Sequence, residues 1–188
     1  MNVASVGLSQ KELEKAGISY KSTVISHLSS VSILPYAKPM YLKISFDAYT
    51  GKIYGLQAVG EGDVVKRIDI GAALIGMGAD IYDLYNTEIS YHPIYSTPED
   101  ALNVLAAQAI DVFEGKVKSI NISKLKDLDK DFEIYDLRKK DSFDGGHIKG
   151  STNINPSIIR EKLGEFLSLI HISEPTRREW LSRMPSSA

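Results

Sequence analysis

Tyr41-Leu42-Lys43-Ile44-Ser45-Phe46-Asp47-Ala48-Tyr49-Thr50-Gly51-Lys52-Ile53-Tyr54-Gly55-Leu56-Gln57-Ala58-Val59 is the stretch on which the fold turns. Leu42, Ile44 and Phe46 alternate with Tyr41, Lys43 and Ser45, the period-two pattern of a half-buried strand. Asp47 to Gly51 has turn chemistry, and Gly51 can take a positive φ. Lys52 to Val59 then returns as the second strand of a hairpin. Working toward the N-terminus, Tyr20 to Ser26 alternates as a strand. Ser9 caps a short helix, Gln10 to Lys15, with Glu12 placed for a capping box and Gly17 closing it. Val3 to Val6 is a short strand that Gly7 ends.

Working toward the C-terminus, the period changes to that of a helix. Val65, Ile68, Ala72 and Ile75 share one face, with Lys66, Arg67 and Asp69 mostly elsewhere, until Gly76 and Gly78 stop the helix. Asp80 caps a short helix through Tyr85. A third helix takes Thr97 as N-cap and Pro98 in its first turn, with Glu99 and Asp100 facing the positive end. Leu102, Leu105, Ala109 and Val112 are its apolar stripe, and Gly115 ends it.

Composition narrows the function classes. The 188 residues are 43% hydrophobic and 24% charged, which describes a globular chain. A formal net charge of −2 gives no electrostatic footprint for nucleic acid or an anionic membrane surface. Ile70 to Met77 is the most apolar run and falls far short of the roughly 20 residues that span a bilayer. A soluble cytoplasmic protein is the expectation. The cysteine count of zero excludes a thiolate metal site, a disulfide or a cysteine nucleophile within these residues.

Beyond Gly115 the composition shifts. Lys116 to Lys130 is rich in lysine and aspartate and reads as a connector. Glu133 to Leu137 is a short strand, Asp141 to Asp144 makes one helical turn, and Pro156 opens another helix. A boundary near Gly115 therefore separates a domain over 1–115 from a second unit over 116–166.

Three blocks of the first domain carry a resemblance. They are Ala58-Val59-Gly60 followed by Val65-Lys66-Arg67-Ile68-Asp69, then Tyr91-His92-Pro93-Ile94-Tyr95-Ser96, then Asp100-Ala101-Leu102-Asn103. Together they resemble the C-terminal dimerisation domain of flavin- and pyridine-nucleotide-dependent disulfide oxidoreductases, in the coenzyme A-disulfide reductase and NADH oxidase branch. The implied fold is α+β, an antiparallel sheet with helices. In the second unit, Tyr135-Asp136-Leu137-Arg138, Phe143 and Gly146-His147-Ile148-Lys149-Gly150-Ser151-Thr152-Asn153-Ile154 resemble the first half of an α/β rhodanese domain. Some reductases of this branch carry a rhodanese domain at this place.

The resemblance implies a homodimeric parent enzyme that uses NAD(P)H and FAD to reduce coenzyme A disulfide or a persulfide. This chain would supply the subunit interface, bind neither cofactor itself and be inactive alone. A non-catalytic dimerisation module that binds a sulfur carrier is the alternative, as is an NADH oxidase parent. In the family, two tyrosines of this domain reach the partner subunit's active site. Tyr91 matches one, whereas Ile33 and Leu34 stand where the other would fall and Tyr36 is displaced. Val65 replaces the family's aspartate before Lys66, and Ile94 replaces its second proline.

Tyr91 is thus the candidate catalytic residue, its phenol donating a hydrogen bond to a developing thiolate in trans. A tyrosine with its ring in the core and its hydroxyl wet is the plainer alternative. Lys66, Arg67 and Asp69 are assigned a structural role at the subunit interface. Asp100 and Asn103 are assigned as caps or turn ligands, and Asp136, Arg138 and His147 as a buried polar scaffold. The histidines have no partners at metal-ligand spacing. Gly60-Glu61-Gly62 lacks the third glycine of a dinucleotide fingerprint.

The last 22 residues differ from everything before them. Leu167 to Arg177 resembles a translated transposase-type sequencing adapter, and Ser182 to Ala188 resembles its flow-cell end, with Arg178 to Leu181 covering an index-length gap. The expectation is that native sequence ends near Phe166 and that 167–188 is an artefact.

Overall fold

The hairpin forms as its alternation predicts. In a computed structural model that describes residues 1–120, 133–155, 157–158 and the backbone of 171–172, its strands are β3 (Pro39–Asp47) and β4 (Ile53–Gly60). Two further strands complete an antiparallel sheet, β1 (Asn2–Gly7) and β2 (Tyr20–Leu28), in the order β1-β4-β3-β2. Between them α1 (Gln10–Lys15) has the capping box read from the sequence. Three longer connections follow as α2 (Val64–Gly76), α3 (Ile81–Asn86) and α4 (Ala101–Phe113).

One face of the sheet carries the core. Ala4, Ile25, Leu42, Ile44, Leu56 and Ala58 meet Val64, Ile68, Leu102, Leu105 and Ala109 there, and removing this apolar surface from water is the main drive to fold. On that face α2 packs against β1 and β4, while α4 packs against β2 and β3. The opposite face carries α1. Gln10 donates to the Ser22 hydroxyl and accepts from Lys43, and burial lowers the Lys43 pKa.

Two features seat α1. Leu8 crosses over β4 directly above Gly55, where an added Cβ would lie 2.9 Å from the Leu8 nitrogen. Gly7, cross-strand from Gly55, has φ +73 and starts the crossing. An L side chain rarely adopts that conformation.

The turn of the hairpin is organised by Asp47. Its carboxylate accepts from the Tyr49 and Thr50 amides at 2.8 and 2.7 Å and from the Tyr54 hydroxyl at 2.5 Å. The Tyr54 hydroxyl and these amides hold its pKa down at about 2, against an ordinary 3.8. A depressed carboxylate contributes stability that is full above the unfolded value and lost as pH falls toward the folded one. Lowering the pH from about 4 to 2 is therefore expected to reduce the urea midpoint. D47N should flatten that part of the acid limb; an unchanged limb would remove Asp47 from the account.

Two helix assignments need correction. The N-cap of α4 is Asp100, whose carboxylate accepts from the Leu102 amide. Thr97, Pro98 and Glu99 precede the helix, and the Thr97 hydroxyl bonds the Glu99 carbonyl instead. The buried face of α2 is Val64, Arg67, Ile68 and Gly71, whereas Val65 is half exposed. Helix periodicity alone accommodates either face, and the deciding event is the burial of a charged residue.

After the Glu114 C-cap and Gly115, β5 (Ser119–Ile120) pairs in parallel with β8 (His171–Ile172). In the second unit β6 (Tyr135–Asp136) pairs in parallel with β7 (Thr152–Asn153), and α5 (Lys140–Asp144) lies between them. The connector beyond Ile120, the helix expected at Pro156 and nearly all of 167–188 lie outside the described residues.

Candidate functional site

The candidate site is built on the segment between α3 and α4, residues 87–99. A polar framework fixes both of its ends. At its start, Asn103 on the first turn of α4 donates to the carbonyls of Tyr85 and Thr87 at 3.0 and 2.9 Å. At its end, the segment runs into Asp100, the helix cap.

Arg67 holds that end from across the core. Its Nε and Nη2 donate to the two Asp100 carboxylate oxygens at 3.2 and 2.8 Å, a bidentate pair. Nη1 donates to the Asp63 carbonyl at 2.8 Å, and Nη2 also reaches the Tyr95 carbonyl at 3.4 Å. The pair is sealed from water, with 1% and 3% of its side chains exposed. Arg67 is therefore not an exposed interface charge, as its place in the sequence suggested, but an internal strut. Asp69 is exposed and Lys66 is partly so.

Between its two ends the segment is folded on itself. The Tyr95 and Ser96 amides both donate to the His92 carbonyl at 2.9 Å. The Ile94 amide donates to His92 Nδ1 at 3.3 Å, and the His92 ring lies 5.4 Å from that of Tyr95. Ser96 is buried. Tyr91 projects from this turn with 49% of its surface exposed, and its hydroxyl has no hydrogen-bond partner among the described residues. Its ring is thus not a core ring, which disfavours the plainer reading.

A second loop, 29–38, adjoins this one. The Val31 amide donates to the Pro93 carbonyl at 3.4 Å. Between them the two loops expose Ile33, Tyr36, Tyr91, Ile94 and Tyr95, more apolar surface than a water-facing turn needs. Periodicity gives 29–38 no element, but the resemblance puts the counterpart of Tyr91 there, at Ile33 and Leu34, and the loop does lie beside the Tyr91 turn. The outward ridge of α2 continues the theme: Val65, Asp69, Ala73 and Met77, four residues apart, are all exposed and mostly apolar.

No described residue set suits a nucleotide cofactor. Gly60-Glu61-Gly62 leads from β4 into α2, but β4 belongs to an antiparallel sheet and not to a βαβ unit. The carboxylate of Asp63 already occupies the N-terminus of α2 by accepting from the Lys66 amide, so a phosphate there would meet a negative charge. A Cβ at Gly62 would strike Ser29, which explains that glycine by packing alone. Elsewhere, a cleft of about 390 Å³ lies between β2 and the end of α4. Lys21 on its wall is engaged with the Val112 and Phe113 carbonyls. Among the described residues no cluster could hold a metal ion, and no helix is long and apolar enough to cross a membrane.

In the second unit Asp136 and Arg138 are joined as expected. Arg138 Nη2 bonds Asp136 at 2.6 Å and the Gly146 carbonyl at 2.8 Å. Arg138 thereby holds the Asp136 carboxyl below the usual carboxylate range. Asn153 donates to the carbonyls of both residues. The network is only partly buried, the Arg138 side chain being 36% and the Asp136 side chain 11% exposed, so solvent screens the ion pair in part. His147 makes none of these hydrogen bonds but is near enough to help lower the Asp136 carboxyl; it is exposed, its Nδ1 on the Phe143 carbonyl and its ring stacked on Phe143 at 3.8 Å.

Comparison with known proteins follows this geometry. The family model for the dimerisation domain of pyridine nucleotide-disulphide oxidoreductases matches residues 1–101. The NAD(P)H sulfur oxidoreductase (CoA-dependent) of Pyrococcus furiosus is 30% identical over 106 residues, 56% of this chain and 24% of that protein. The coenzyme A disulfide reductase of Staphylococcus aureus (strain bovine RF122) is 29% identical over 106 residues, again 56% and 24%. The chain thus spans about a quarter of the length of these curated relatives. The crystal structure of reduced Bacillus anthracis CoADR-RHD superposes with a TM-score of 0.82 at 31% identity, covering 90% of this chain and 31% of that one.

Proposed function

The chain belongs to the pyridine nucleotide-disulphide oxidoreductases, through their dimerisation domain, and from that premise we propose that it is the subunit-interface segment of a longer homodimeric disulfide reductase. The parent would be a cytoplasmic enzyme dependent on FAD and NAD(P)H, reducing coenzyme A disulfide or a related persulfide. The observation that carries this reading is Tyr91. It sits half exposed, with a hydroxyl that has no partner among the described residues, on a turn fixed at both ends. A phenol so presented can donate a hydrogen bond to a thiolate sulfur as a disulfide opens in the partner subunit.

With no cysteine and no nucleotide site among the described residues, the chain does not perform this reduction by itself. FAD and NAD(P)H are assigned to other domains of the parent. The second unit is the first half of a rhodanese domain; the 90% coverage by the Bacillus anthracis structure, well past residue 115, supports that assignment. The tail over 167–188 is adapter-derived.

The test has two parts. The DNA upstream of Met1 should continue in frame into an FAD-binding domain, whereas a stop codon and ribosome-binding site just ahead of Met1 would favour a stand-alone interaction module. The chain itself should scatter light with twice its formula mass, and A73E, placing a second acid beside Asp69 on the outward ridge of α2, should return it to a monomer. A monomeric wild-type chain would defeat the interface reading.

A further inference from the structure

We propose that Arg67 is the positioning residue for Tyr91: it locks the 91–96 turn to α2 and α4, so that the phenol is presented at a fixed place. The inference rests on the reading of Tyr91 as a residue that acts in trans. The geometry that supports it is independent of that reading.

Among the described residues three hydrogen-bonded tethers join the turn to the rest of the fold, and they are unequal. Asn103 fixes the chain at Thr87, four residues before Tyr91. Val31 reaches Pro93 by one backbone bond of 3.4 Å, as long as the Arg67–Tyr95 contact but from a loop that is itself exposed at Ser32 and Ile33. Arg67 alone connects the turn to the core. A single fully buried guanidinium joins the N-cap residue of α2, the N-cap residue of α4 and the Tyr95 carbonyl. A planar fork with five N–H donors can serve three acceptors in fixed directions. A lysine ammonium at the same place could neutralise Asp100 but could not also reach Asp63 and Tyr95 in this arrangement. The turn's internal bonds, from Tyr95 and Ser96 to His92, make it a rigid body. Fixing Tyr95 therefore fixes Tyr91 as well.

The experiment is hydrogen exchange on the full chain, comparing wild type with R67K. The Tyr95 and Ser96 amides should exchange about tenfold faster or more in R67K, while the Ile44 and Leu56 amides of the central strands change by less than about threefold. Unchanged protection at Tyr95 and Ser96 in a folded R67K would overturn the proposal. So would a loss shared equally by turn and strands, which would mean a general structural role. Should R67K fail to fold, the wild type is measured in sub-denaturing urea. A locked turn opens with the same free energy and urea dependence as the α2 and α4 amides; an independent opening at lower free energy refutes the lock. Failure of the Tyr91 reading shows separately, as a monomer by light scattering with the exchange pattern intact.

Discussion

Replacing Arg67 by methionine is expected to destabilise the chain by about 3–5 kcal/mol, because the Asp100 carboxyl would lose its cationic partner in a site with 3% of its side chain exposed. The asymmetry of buried ion pairs makes this prediction sharp. Forming such a pair gains little over an apolar pair of similar volume, because both ions lose their hydration, but removing one partner leaves the other's desolvation uncompensated. R67M combined with D100L should therefore recover a large part of the loss. The recovery will be incomplete, since Asp100 also caps α4 and a missing cap costs about 0.5–2 kcal/mol. Urea unfolding followed by far-UV circular dichroism on the four members of the cycle measures the coupling. A single R67M loss under about 1 kcal/mol would show that water reaches Asp100.

Gly55 to alanine should cost about 3 kcal/mol, for a reason unrelated to charge. The added Cβ would sit within 3.1 Å of three backbone atoms of Leu8, and backbone cannot swing aside as a side chain can. Leu8 is itself pinned, its amide donating to the Tyr54 carbonyl at 2.8 Å. The strands must separate or α1 must lift, and either exposes Leu13, which is wholly buried. Gly76 to alanine is the control. It lies at the end of α2 with nothing within 4 Å of its added Cβ, so it should stabilise by roughly 0.5–1 kcal/mol. Equal midpoints for G55A and wild type in urea would contradict the crossing geometry.

The sheet, the capping box of α1 and the ends of α2 and α3 were legible because each rests on local rules: alternation, a capping side chain, a glycine at a helix end. The family was legible because its linked blocks include Lys66 to Asp69 and Tyr91 to Ser96. Arg67 was misread because a charge on an amphipathic helix is ordinarily a solvated charge, and the inward face had to be judged from apolar residues alone. The clue lay in Asp100, an acid 33 positions away at the head of an apolar helix. A capping residue has one free carboxylate oxygen, and only the fold reveals that the oxygen faces Arg67 across the core. The 29–38 loop has no periodic or capping signature, only the family alignment at Ile33 to Tyr36, and among the described residues its hydrogen bond to the Tyr91 turn is a backbone bond across 62 positions. Periodicity carries no information about such a contact.

The sheet order has a consequence for how the chain folds. The β2-β3-β4 meander closes through short connections, whereas β1 pairs with β4 from Asn2 to Gly60, across more than fifty residues. Closing that longer loop costs more chain entropy and must await a formed β4. Of these four strands, the earliest in sequence is thus the last to find its partner. Until it docks, the edge of β4 has unpaired N–H and C=O groups facing water, open to a second unfinished chain. Destabilising changes at Ala4 or Val6 should accordingly hasten unfolding and leave the refolding rate almost unaltered.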